Sequence, residues 1–137
     1  MFVGLLNGKP YEIFIEEGEK PQSKGTITKA KRGSYLYKNG NKEAFPILSK
    51  MTDEQSAITR LVSTSLRHGA DIKYIVEQLS KTDGDLFSFT KGLARVLKKF
   101  IPDGSKSTVT CQDCGSENVI FEEGCHNCKD CGYGGCS

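Results

Sequence analysis

Cys111-Gln112-Asp113-Cys114-Gly115-Ser116-Glu117-Asn118-Val119-Ile120-Phe121-Glu122-Glu123-Gly124-Cys125-His126-Asn127-Cys128-Lys129-Asp130-Cys131-Gly132-Tyr133-Gly134-Gly135-Cys136-Ser137 closes the chain and holds all six of its cysteines. Two Cys-x-x-Cys pairs flank Val119, Ile120 and Phe121, a short strand-prone run followed by a turn. That is the spacing of a zinc ribbon, in which four thiolates close a tetrahedron around Zn²⁺.

A tetrahedral site needs four cysteines, so two are left over, and the six can be divided in three ways. Cys111 and Cys114 can join Cys128 and Cys131, each pair being followed by a glycine (Gly115, Gly132) that lets the backbone wrap tightly around a metal. Cys125 and Cys136 then bracket the second pair and can meet across a hairpin as a redox pair. Alternatively Cys111, Cys114, Cys125 and Cys128 bind the metal and leave Cys131 and Cys136 as a dithiol. A third division makes Cys125-His-Asn-Cys128 the redox pair. The glycines favour the first, but spacing alone leaves all three open. His126 could replace a cysteine as ligand, but is better read as a solvent-facing neighbour whose charge lowers a thiol's pKa.

Two blander uses of the cysteines remain. Three disulfides in a secreted domain would suit a signal peptide, and nothing at the amino terminus resembles one. A purely structural ribbon with two idle thiols is the stronger alternative; it would make the chain a non-enzymatic adaptor for protein or nucleic acid.

A chain of 137 residues, 36% of them hydrophobic, supports one modest core beside a metal-stapled tail. No apolar run approaches the roughly 20 residues that cross a bilayer, so no membrane partner and a cytoplasmic location are expected. With 19 basic against 17 acidic residues, the charge balance does not point to nucleic acid.

Upstream of the tail the pattern is first strand-like and then helical. Residues 2–6 and 11–15 are β-prone runs around Asn7-Gly8, a positive-φ hairpin turn. Residues 16–24 are charged, contain Pro21 and predict a loop. Residues 26–31, 34–38 and 43–48 read as further strands of one small antiparallel sheet. Tyr11, Phe14, Tyr35, Tyr37 and Phe45 suit cross-strand packing better than a base-stacking platform. Thr52 and Gln55 form a capping box opening a helix whose apolar face is Ala57, Ile58, Leu61, Val62 and Leu66. Gly69 ends it, and His68 places a cation near its C-terminal dipole. Asp71 caps a second helix marked by Ile72, Ile75, Val76 and Leu79. Ser88 caps a third, with Phe89, Leu93, Val96, Leu97 and Phe100, which stops before Pro102. The second helix offers Lys73, Tyr74, Glu77 and Gln78 outside its stripe; Glu77 would meet phosphate, which argues against a DNA-reading helix-turn-helix. Lys91, Arg95, Lys98 and Lys99 predict a solvated face on the third. The expected fold is α+β: residues 1–102 a domain of a small antiparallel sheet (1–48) followed by three helices (52–101) packed on one face of it, 103–110 a linker, and 111–137 a zinc-ribbon-like tail.

Phe2-Val-Gly-Leu-Leu-Asn-Gly-Lys-Pro-Tyr-Glu-Ile-Phe, Lys24-Gly-Thr-Ile, Lys31-Arg-Gly-Ser-Tyr, Ala57-Ile-Thr-Arg-Leu-Val-Ser, Leu66-Arg-His-Gly, Ile75-Val-Glu-Gln-Leu and Glu123-Gly-Cys125 through Cys136 follow one another in an order that resembles the carboxy-terminal region of adenosylcobalamin-dependent (class II) ribonucleotide reductases. The likeness covers nearly the whole chain. It is most specific in the Gly-Leu-Leu-Asn-Gly-Lys-Pro-Tyr-Glu block and the cysteine tail.

The resemblance implies a role in turnover. In that family a large α/β barrel holds cobalamin, forms a thiyl radical and is left with an oxidised cysteine pair after each deoxyribonucleotide. The cysteine tail reduces that pair by thiol–disulfide exchange and is itself reduced by a thioredoxin- or glutaredoxin-type protein. Gly132, Gly134, Gly135 and the polar run 103–110 would give the carrier its mobility. The chain lacks the barrel, so adenosylcobalamin and the nucleotide sites are expected on another polypeptide. Met1 falls where the family would continue upstream, which predicts a split subunit or an excised domain that is not catalytically competent alone.

Overall fold

The computed structural model describes residues 1–16, 24–40, 45–47 and 50–135. Most of the loop expected over 16–24, much of the strand expected over 43–48, and Cys136 lie outside the described residues. The chain is α+β, with antiparallel sheets, three helices and a C-terminal cysteine cluster like that of a zinc ribbon. It forms two compact units, Met1–His68 and Gly69–Ser137.

In the first unit, β1 (Phe2–Leu6) and β2 (Lys9–Phe14) pair as a hairpin through Asn7 and Gly8, whose φ values of 52° and 77° make the left-handed turn that matches strand twist. β3 (Thr26–Lys31), β4 (Ser34–Lys38) and β5 (Phe45–Pro46) form a separate three-stranded sheet. The one sheet predicted from the sequence is therefore two. Aromatic rings join them: Phe14 meets Tyr35 edge-on at 5.0 Å and Phe2 meets Tyr37 at 6.2 Å, while Phe2 and Phe14 stack at 5.4 Å within the first sheet. These rings serve as core.

α1 (Asp53–Arg67) opens on the predicted capping box, the Thr52 hydroxyl accepting from the Gln55 N–H while the Gln55 side chain accepts from the Thr52 N–H. It packs on β2. The buried face differs from the predicted stripe: Thr59, Val62, Ser63 and Leu66 are buried, whereas Leu61 is 68% exposed and Ala57 is exposed too. The cause is a backbone donor. The Ile13 N–H, on the outer edge of β2, donates to Ser63 Oγ at 3.1 Å, and a buried strand-edge N–H needs such an acceptor. A hydroxyl at the contact outweighs an extra leucine.

In the second unit, α2 (Ile72–Ser80) and α3 (Phe89–Lys98) begin at the predicted caps Asp71 and Ser88 and pack on each other. Ile72, Val76 and Leu79 meet a core in which Leu93 and Leu97 are fully buried. The three helices are thus divided, α1 with the strands of the first unit and α2 and α3 with the tail, instead of lying on one sheet face. Lys98 departs from the predicted solvated face: it is only 8% exposed, and burial lowers its ammonium pKa.

β6 (Val119–Glu122), β7 (Cys125–Cys128) and β8 (Gly134–Gly135) form the ribbon sheet. Residues 103–110, predicted as a linker, run along its edge. Gly104 and Ser107 donate to the carbonyls of Phe121 and Val119 at 2.7 and 2.8 Å, and the Phe121 N–H returns a bond to Ser105 at 2.9 Å. Thr108 reaches Glu77 of α2 at 2.7 Å. The polar composition that reads as a linker is used here to bond backbone and helix.

Ser63→Ala should cost about 1–3 kcal/mol, because it strands a buried N–H; Leu61→Ala should stay within about 0.5 kcal/mol. Urea midpoints of the two variants measure the difference, and the reverse order would refute the assigned face.

Candidate functional site

Each end of the ribbon's cysteine cluster is a turn of the same construction. In the first, the Gly115 N–H donates to the Cys111 carbonyl at 3.0 Å and the Cys111 N–H to the Ser116 carbonyl at 2.8 Å. In the second, Gly132 donates to Cys128 at 3.0 Å and Cys128 to the Tyr133 carbonyl at 2.9 Å. Gly115 and Gly132 have φ values of 72° and 77°, a region where a Cβ is strained and glycine is not. The two turns are tied by Asp130, whose carboxylate accepts from the Ser116 hydroxyl and, at 2.7 Å, from the Asn118 amide; these bonds hold its pKa below the usual carboxylate range.

The turns bring Cys111, Cys114, Cys128 and Cys131 together, all four sulfurs lying within 4.8 Å of one another. Cys111 to Cys131 and Cys114 to Cys128 are 3.6 Å apart, far too long for a disulfide and close to the edge of about 3.8 Å that Zn–S bonds of about 2.3 Å give a tetrahedron. The donor set is closed, all sulfur, and able to chelate a metal ion. A bound ion would supply the positive charge that lets four thiolates share this space.

The thiols' electrostatics point the same way. The Cys114 backbone N–H, aided by that of Asp113, outweighs burial and pulls Cys111 down to about 7. At Cys131 the Tyr133 N–H favours the thiolate, but burial and the neighbouring Cys114, Cys111 and Cys128 outweigh it and push the pKa up to about 12. One thiolate is welcome; further ones repel it unless a cation sits among them.

Cys125 is outside the cluster. It stands in β7, opposite Glu122, while Cys128 stands opposite Val119. Strand side chains alternate, so residues three apart point to opposite faces. Cys128 shares its face with His126, Val119 and Phe121 and packs with buried Cys111 and Val119. Cys125-His-Asn-Cys128 is therefore a strand and not a metal-binding turn. This geometry disfavours both the division that places Cys125 among the ligands and the one that pairs it with Cys128. Cys125 is disulfide-bonded, whereas Cys111, Cys114, Cys128 and Cys131 are free thiols. Cys136 is among the residues not described.

His126 is not the solvent-facing cation that the sequence suggests. It is half-buried, its ring 4.4 Å from that of Phe121 and its Nδ1 2.9 Å from Ser107 Oγ. Burial first, and the charge of Lys98 second, lower its pKa. Two features had weak sequence signals: the Ser116–Asn118–Asp130 brace is scattered polar residues in the sequence, and Lys98 reads as surface charge.

A family model described as NrdJ homologue C-terminal domain matches residues 1–102 of this chain. Searches of curated proteins and of solved structures returned no match.

The protein should bind one divalent ion per chain, counted by elemental analysis. Cys111→Ser or Cys131→Ser should abolish that binding and Cys125→Ser should leave it intact. Acidification should release the ion, since protons compete for the thiolates. Retention of the ion by Cys131→Ser would exclude the four-sulfur cage.

Proposed function

The chain belongs to the NrdJ homologue C-terminal domain family, linked to class II ribonucleotide reductases, and on that premise we propose that it is the redox-relay module of such an enzyme. In this reading Cys111, Cys114, Cys128 and Cys131 hold Zn²⁺ as a structural ion. Cys125 and Cys136 form the working dithiol. The reductase barrel, with its adenosylcobalamin and its substrate cysteines, is a separate polypeptide or region with which this module associates.

The observation that carries the reading is the division of the cysteines. Four gather within 4.8 Å of one another, and Cys125 stands on the other face of β7, oxidised. By count, Cys136 is the sulfur left to work with it. Thiolates committed to a structural ion are poor shuttles, so the exchange falls to cysteines outside the cage.

The exchange balances in two steps. A thiolate of the reduced Cys125/Cys136 pair attacks the barrel's disulfide to give a mixed disulfide, and the second thiol resolves it. The barrel regains two thiols, and the module is left with one disulfide. A thioredoxin- or glutaredoxin-type dithiol then reduces that disulfide by the same route, supplying two electrons and two protons per cycle. The cage holds β7, and with it Cys125, in place throughout.

With the catalytic barrel present, Cys125→Ser and Cys136→Ser should keep the metal but lose thioredoxin-driven turnover by at least tenfold. An external small dithiol, which reaches the barrel's disulfide directly, should restore it. Multiple turnovers by both variants with the protein reductant would overturn the relay and leave a structural zinc-ribbon adaptor.

A further inference from the structure

The first unit holds a cleft of about 530 Å³ lined by β2, the β3–β4 turn and α1, far in sequence from the cysteines and without a use in the redox reading. Its volume is within the range of small-ligand clefts. Three guanidiniums line it. Arg60 and Arg67 stand seven residues apart on α1, so they project from one side of the helix about 10 Å apart along its axis. Arg32 comes from the β3–β4 turn.

The charges of the lining do not cancel. Glu12 is already served twice: the Tyr35 hydroxyl donates to its Oε1 at 3.0 Å, and Arg67 Nη1 lies 3.5 Å from the same oxygen. Arg67 also donates to Thr64 Oγ1 at 3.2 Å. The other carboxylate of the cleft is Asp53, in the first turn of α1, where the positive end of the helix suits it. Arg32 and Arg60 make no hydrogen bond or ion pair among the described residues. Two guanidinium forks are thus open toward the cleft, each with several N–H donors in one plane.

Ser63 supplies a further donor. It lines the cleft and is only 3% exposed. Its oxygen accepts from the Ile13 N–H at 3.1 Å, while its hydrogen has no acceptor among the described residues. A buried hydroxyl hydrogen of this kind calls for a partner, and the open side of Ser63 is the cleft.

We propose that this cleft binds a phosphorylated small molecule, its phosphate oxygens taking the free donors of Arg32, Arg60 and Ser63. One fork satisfies a planar carboxylate, whereas the oxygens of a phosphate point in several directions and accept from two forks and a hydroxyl together. The inference stands on the first unit alone and does not depend on the redox role of the tail.

Nuclear magnetic resonance titration of the full, metal-loaded chain tests it, with pyrophosphate as the probe and citrate as a polycarboxylate control of similar charge near neutral pH. Pyrophosphate should give saturable shifts at the amides of Gly33, Arg60 and Ser63, with a dissociation constant at least about tenfold below that of citrate. Arg32→Gln and Arg60→Gln, both at exposed positions, should each weaken pyrophosphate about tenfold or more, as the loss of hydrogen bonds to a charged group does. Lys99→Gln removes the same charge from an exposed position in the other unit and should leave the binding unchanged. Equal binding of citrate and pyrophosphate, pyrophosphate binding unchanged in both arginine variants, or equal weakening by Lys99→Gln would overturn the proposal. The comparison of the two anions on the unmodified chain decides the matter by itself if the arginine variants do not fold.

Discussion

Four sulfurs within 4.8 Å of one another, two pairs of them at 3.6 Å, are the constraint on which the tail depends. The ribbon has little apolar core of its own: Val119 packs with Cys111 and Cys128, and Phe121 lies beneath His126. Two glycine-ended turns and the Asp130 brace aim the thiols inward, yet the thiols resist common ionisation, as the spread from about 7 at Cys111 to about 12 at Cys131 indicates. A chelated dication removes that resistance and joins the two turns in one step. For a small, polar sheet able to chelate an ion in this way, the binding energy of that ion would be in large part folding energy.

This constraint changes what kind of carrier the tail can be. Polar residues 103–110 suggest a tether, but Gly104, Ser105 and Ser107 are bonded along β6, Glu123 donates to Asp103 at 2.8 Å, and Thr108 is held by Glu77. Residues 103–107 are therefore bonded along β6, and Thr108 ties the segment to α2 through its side chain, so it is not a free tether. Any delivery of Cys125 to a partner would carry this whole unit with it.

What was legible in the sequence was local. Caps at Thr52, Asp71 and Ser88, the Asn7-Gly8 turn and the glycines after Cys114 and Cys131 each have a short-range cause, and the corresponding elements stand where those residues put them. Features set by distant partners were not legible. The rotation of α1 toward Ser63 depends on the Ile13 N–H, fifty residues away. The burial of Lys98 depends on the ribbon folding over the end of α3, where Gly124 approaches the Lys98 carbonyl. The anchoring of 103–110 depends on β6 offering an open edge.

The position of Cys125 brings both kinds of reason together. Cys-x-x-Cys recurs at 111, 125 and 128, so spacing alone admits several cages. What separates them is backbone conformation. A helical or glycine-ended turn returns the second sulfur to the side of the first, whereas an extended strand sends it to the other face. Cys125 and Cys128 are paired across β6 with Glu122 and Val119, and that antiparallel register excludes a shared ligand position. Glu123 and Gly124, at φ 51° and 76°, set this register through a two-residue turn. A one-residue slip there would exchange the faces of β7, moving Cys128 out of the cage. The turn before Cys125 thus determines which sulfur joins the four-cysteine cluster and which stands on the opposite face of β7.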